Sequence, residues 1–117
     1  MGDTQITDWA IEQIKTNPKR PIMMGVGYYR PHIPLYAPKK YFKPFEGAIE
    51  LPPTLADDLD DLSSVARDKW ALEAITAGSH ATVVEAGEWQ NAVRAYLACV
   101  HYVDCLLYTS PSPRDRG

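Results

Sequence analysis

No apolar run in the 117 residues approaches the roughly 20 needed to cross a bilayer. Nor does a charged segment lead into an apolar one at the start, so the sequence as it stands shows neither an anchor nor a secretion signal. Cysteine is scarce: Cys99 and Cys105 are too few, and too close within a helical pattern, to form a disulfide framework or a zinc site. Charge of one sign is scarce too, with a net charge of -3 and basic residues spread along the chain, which removes the electrostatic footprint of a nucleic-acid binder. No internal repeat occurs. These absences leave a soluble protein whose chemistry must come from individual side chains.

What is present suits a single globular unit, with 45% hydrophobic and 23% charged residues. Met1 opens directly onto an amphipathic pattern, as though the chain begins in mid-domain. Ile6, Trp9, Ala10 and Ile14 recur at helical spacing, which predicts a helix from Gln5 to Thr16, capped by Asp3 or Thr4 and stopped at Asn17-Pro18. Pro21-Ile-Met-Met-Gly-Val-Gly27 is a short continuous apolar run bounded by proline and glycine, the pattern of a strand buried on both faces. A helix feeding an interior strand is half of an α/β unit.

Residues 28 to 53 mix proline, aromatics and lysine, predicting irregular backbone with one helical turn at Pro38 to Phe42. A surface loop with a local acidic run follows to Leu62, then a short helix from Arg67 to Thr76 ended by Gly78-Ser79. From Gly87 onward Trp89, Val93, Tyr96, Leu97, Val100 and Val103 mark one face of a long helix. The segment Cys105 to Gly117 breaks with that helix and resembles translated sequencing adapter, so it is set outside the expected domain of residues 1 to 104.

The richest stretch chemically is Gly25 to Pro34, where the apolar run gives way to Tyr-Tyr-Arg-Pro-His-Ile-Pro. Pro31 and Pro34 fix their own φ and restrict Arg30 and Ile33, so His32 is expected on a stiff segment. Ligands of α/β proteins bind just beyond the carboxyl ends of strands, which makes His32 the candidate catalytic residue. Tyr29 and Arg30 beside it supply a donor and a fixed cation suited to an anionic substrate.

Other motifs read more plainly. Asp57, Asp58, Asp60 and Asp61 lack the spacing, glycine and terminal glutamate of a calcium loop and read as a solvated acidic turn. His80 and His101 have no ligand partners at metal spacing and read as structural, with His101 on the polar or boundary face of its helix. The stems of Lys39, Lys40 and Lys43 cover the aromatic loop while their charges face water. No metal site is expected among these residues.

Lys19-Arg-Pro-Ile-Met-Met-Gly-Val-Gly-Tyr-Tyr-Arg-Pro-His-Ile-Pro-Leu-Tyr-Ala-Pro-Lys-Lys-Tyr-Phe42 resembles the central segment of sulfatases of the iduronate-2-sulfatase-like group. Those read Lys-Pro, an apolar run ending in Val-Gly, then an aromatic, a variable residue, Lys or Arg, and Pro-His-x-Pro. Asp8 to Glu12, Ile49 to Pro52 and Tyr96 to Asp104 resemble the flanking family segments, so the likeness covers residues 1 to 104.

The resemblance implies an alkaline-phosphatase-like α/β fold and hydrolysis of a sulfate ester, of a sulfated carbohydrate or small molecule, in a periplasmic or extracellular parent. It also implies a formylglycine nucleophile and a calcium or magnesium ion. By the same resemblance His32 contacts the sulfate and assists the leaving group. The Cys/Ser-x-Pro-x-Arg motif that yields formylglycine is missing, and Ser110 to Arg114 fails it because Ser112 stands where proline is required. The aspartates that hold the metal are missing as well. The expectation is therefore one wall of an active site, inactive in isolation. The rivals are a phosphate or phosphonate monoesterase of the same superfamily and a non-catalytic binding domain.

Overall fold

The computed structural model describes residues 2–16, 19–55, 57–71 and 80–109, with the side chains of 70 and 71 not described. Four α-helical elements occur among them: α1 (Gly2–Lys15), α2 (Ser64–Ala66), α3 (His80–Glu85) and α4 (Trp89–Thr109). Helix α1 begins three residues before its expected start. Asp3 and Thr4 lie inside its first turn and do not cap it; both side chains are spent on distant partners instead.

Two short 3₁₀ turns, Lys39–Tyr41 and Lys43–Phe45, lie in the proline-rich loop, the first where a turn was expected. The Ser63 hydroxyl caps α2 by accepting from the Ala66 amide at 3.3 Å, and a π-helical turn, Arg67–Ala71, continues it. The expected end of that helix, at Gly78-Ser79, lies outside the described residues. Asp57, Asp58, Asp60 and Asp61 sit exposed in turns.

Gly87 (φ 72) separates α3 from α4 and does not open the long helix. Its N–H donates to the Val84 carbonyl and that of Glu88 to Val83, a Schellman closure of α3 that needs the left-handed residue glycine allows.

Helix α4 packs along α1, but not through the stripe that its large apolar residues suggest. The buried positions are Ala98, Cys99, Tyr102 and Leu106, while Tyr96 and Val100 face outward. The buried face centres on the small residues Ala98 and Cys99, and Tyr102 beside them sets its hydroxyl on the first turn of α1. Apolar residues surround α4, so periodicity alone could not choose the face. The helix also runs unbroken through Thr109, past the break expected at Cys105. Leu106 stands four residues after Tyr102 and is 7% exposed in the cluster with Tyr41 and Tyr102.

That core is small. Buried hydrophobic residues number six among the described residues, and the Cα radius of gyration is 19.2 Å against about 13 Å for a compact domain of this length. Residues 21–27 run extended without strand pairing, and Met23 is 104% exposed. A strand buried on both faces needs neighbouring strands, and none occurs among the described residues. An added Cβ at Gly25 or Gly27 would meet nothing within 4 Å.

Candidate functional site

The site forms where the extended segment ends against the first turn of α1. Asp3, 4% exposed, turns its carboxylate onto the backbone there: Tyr29 N–H donates to Oδ1 at 2.8 Å and Arg30 N–H to Oδ2 at 3.3 Å. The Thr7 hydroxyl donates to the Asp3 carbonyl at 2.9 Å and also lies 2.9 Å from the Tyr28 hydroxyl. Thr4 N–H donates to the Tyr102 hydroxyl at 3.1 Å, and the two hydroxyls meet at 2.6 Å. Helix α4 thus fixes the first turn of α1, and α1 fixes the base of the loop.

Above that base the loop closes on itself. His32 N–H donates to the Tyr29 carbonyl at 3.0 Å, and the Arg30-Pro31 and Ile33-Pro34 peptide bonds are both cis. The Tyr29 hydroxyl donates to the Ile33 carbonyl at 2.9 Å, where His32 Nδ1 also arrives at 2.6 Å. A carbonyl oxygen has no proton to give, so Nδ1 carries the hydrogen and Nε2 is left for a ligand. In the neutral ring Nε2 presents a lone pair, and in the cation an N–H.

Tyr29, Arg30 and His32 are brought together. The Tyr29 and His32 rings lie 4.8 Å apart, and the Arg30 guanidinium lies 5.0 Å from the Tyr29 ring centroid. Arg30 also donates through Nε to the Tyr36 carbonyl at 2.7 Å, which ties the outgoing strand of the loop to its start. Tyr29 and His32 are exposed and Arg30 is half-buried. A cavity of about 390 Å³ opens beside the cluster, lined by Gly2, Asp3, Tyr29, Arg30 and Pro34.

Behind the site stands Cys99, fully buried on α4. Burial pushes its thiol above the ordinary value, the Arg30 cation opposes that rise, and the Asp3 charge adds to it more weakly. A buried thiol held protonated is a packing group and not a nucleophile.

The other histidines serve packing. His101 is half-buried, edge-on to Tyr41 at 5.3 Å and to Phe45 at 6.1 Å, and His80 lies edge-on to Trp89 at 4.5 Å. Among the described residues no group of three or more His, Cys, Asp or Glu converges. Lys39, Lys40 and Lys43 are exposed, Lys40 with its ammonium 4.8 Å from the Tyr41 ring centroid.

Asp3 is the residue of this site that sequence reasoning misplaced. An aspartate just ahead of an apolar helical pattern is the ordinary signal of a cap, and nothing in its spacing points to a loop 26 residues away.

The arrangement holds a backbone-fixed imidazole against an aromatic ring that also carries a cation, and of the three side chains Tyr29 and Arg30 line the cavity. A fixed cation beside a hydrogen-bonding ring is suited to contact with an anion. A protein named Sulfatase from Formosa agariphila is 39% identical to this chain over 106 residues, which is 89% of this chain and 20% of that protein. This chain is similar to that protein along most of its own length, and it spans about one fifth of the curated relative it matches. No family model matches the chain, and no solved structure matches it.

Proposed function

We propose that this chain is a section of the catalytic domain of a sulfuric ester hydrolase of the iduronate-2-sulfatase-like group, with an alkaline-phosphatase-like α/β fold in its parent. The observation that carries the reading is His32, whose Nδ1 is held on the Ile33 carbonyl while Nε2 remains available. It stands in a Arg-Pro-His-Ile-Pro block that resembles the sulfatase segment, within a chain 39% identical to a sulfatase.

In the parent, His32 meets the sulfate ester through Nε2 and, in its charged form, gives a proton to the departing alcohol oxygen. Arg30 supplies fixed positive charge to the anion, and Tyr29, its hydroxyl given to the Ile33 carbonyl, supplies an exposed aromatic face beside the leaving group. A formylglycine nucleophile and a calcium or magnesium ion would supply the attacking oxygen and neutralise the sulfate. The described residues of this chain have no convergent ligand set for such an ion; the reading assigns the metal ligands, and a nucleophile motif that this sequence lacks, to other segments of the parent.

The open faces agree with a section of a larger domain. Residues 21–27 then form an interior strand, and the outward residues Tyr96 and Val100 of α4 are covered. Residues 105 to 117, although helical as far as Thr109, are read as adapter-derived and outside the parent sequence.

Release of sulfate from an aryl sulfate tests the reading. The full-length parent turns it over and the 117-residue chain alone does not. Turnover by the isolated chain overturns the fragment reading. A parent that hydrolyses only the matching phosphate ester transfers the chain to the phosphomonoesterases, and one that hydrolyses neither makes it a binding domain.

A further inference from the structure

We propose that Asp3 is a positioning residue for His32: its two carboxylate oxygens hold the backbone amides of Tyr29 and Arg30 and thereby fix the base of the turn that carries the imidazole. The inference rests on the catalytic reading of His32 and adds a residue to it.

Three observations carry it. Asp3 is 4% exposed, so its carboxylate forgoes solvent and is satisfied by the two loop amides, at 2.8 and 3.3 Å. Hydrogen bonds in which the acceptor is charged are the stronger kind, and two on adjacent amides fix orientation as well as distance. Next, the turn is coupled to those same residues, since the Tyr29 carbonyl that follows the held amide accepts the His32 N–H. Finally, Asp3 is itself anchored: Thr7 binds its carbonyl, and the neighbouring Thr4 is tied to Tyr102 of the buried core. A chain of hydrogen bonds therefore runs from the core of α4, through the first turn of α1, to the backbone of His32. Asparagine at this position keeps the shape but places an NH₂ donor against one of the amides, and glutamate moves the carboxylate by a methylene.

The test is a double-mutant cycle in the full-length sulfatase that contains this segment, read as kcat and KM on an aryl sulfate. Asp3→Asn is expected to lower kcat by about 10-fold with little change in KM, because a displaced general acid costs the chemical step more than binding. In a His32→Ala background the same substitution should change kcat by less than about twofold, since its effect passes through the imidazole. Arg94→Ala removes the bonds that pin the Phe45 and Gly47 carbonyls to α4, and serves as a control that lowers melting temperature without lowering kcat. An equal loss from Asp3→Asn in both backgrounds, or a loss no different from that of Arg94→Ala, overturns the proposal.

Should Asp3→Asn not fold, amide hydrogen exchange in the unaltered enzyme decides. Slow exchange at Tyr29 and Arg30 is expected, and exchange at the rate of free amides overturns it. If His32→Ala leaves kcat unchanged, the catalytic reading itself has failed, a result separate from an ineffective Asp3→Asn beside a damaging His32→Ala.

Discussion

The first turn of α1 and the extended segment 21–27 lead to the same loop and are held in opposite ways. At the first turn, Asp3, Thr4 and Thr7 each reach a partner distant in sequence, and Tyr102 beneath them is 1% exposed. Along 21–27 every side chain but the half-buried Met24 stands in solvent, and an added Cβ at either glycine meets empty space. The difference shows that the site loop takes its support from two helices, whereas the apolar run feeding it has no sheet neighbours among the described residues. Local polar bonds suffice to set the geometry of a turn; burying a Val/Ile/Met strand needs a sheet.

This contrast can be broken most forcibly at Tyr102. Tyr102→Ala removes a buried aromatic and leaves the Thr4 hydroxyl and amide without their partner, so it should cost about 3–5 kcal/mol and abolish cooperative unfolding of the 117-residue chain, as followed by circular dichroism. Leu106→Ala, on the same face, should cost about 2–3 kcal/mol in a denaturant melt, since the cluster is small and partly open and can relax. A cost near zero would mean that α4 does not pack its last two turns as described.

Titration of Cys99 has a smaller effect. Its folded-state pKa is raised, so the unfolded chain loses the thiol proton first as pH climbs. The contribution is fully present below the ordinary thiol range and is lost as pH rises through the raised folded value. Thermal melts should therefore fall across the alkaline side, and Cys99→Ala should flatten that part of the profile.

The smallest effect belongs to the bare segment. Met23→Thr should change the stability of the isolated chain by no more than about 0.5 kcal/mol, as surface substitutions do. In the full-length parent the same change, now inside a sheet, should cost about 2 kcal/mol or more. Equal costs in the two settings would remove the distinction between the held turn and the waiting strand.

Much of this was legible in the residues. The periodicity of Ile6, Ala10 and Ile14 marks α1, and Pro38 ahead of two lysines marks the 3₁₀ turn. The stiff Tyr29 to Pro34 loop and its clustered side chains follow from the two prolines. Side chains acting at long range were not legible. Asp3 looks like a cap because its true partners are amides brought near only by the tertiary fold. The buried face of α4 was missed because it centres on small residues, Ala98 and Cys99, while larger ones outside it dominate any count of hydrophobicity. Leu106 joins the core because a helix continues wherever its residues permit it, whatever the origin of the segment.

The central claim is that His32 serves the leaving group of a sulfate ester, and kcat for an aryl sulfate in the full-length parent carrying His32→Ala tests it most directly. The account predicts a fall of about 10² or more with folding intact. Unchanged turnover would contradict it and reduce His32 to a residue that only packs against Tyr29.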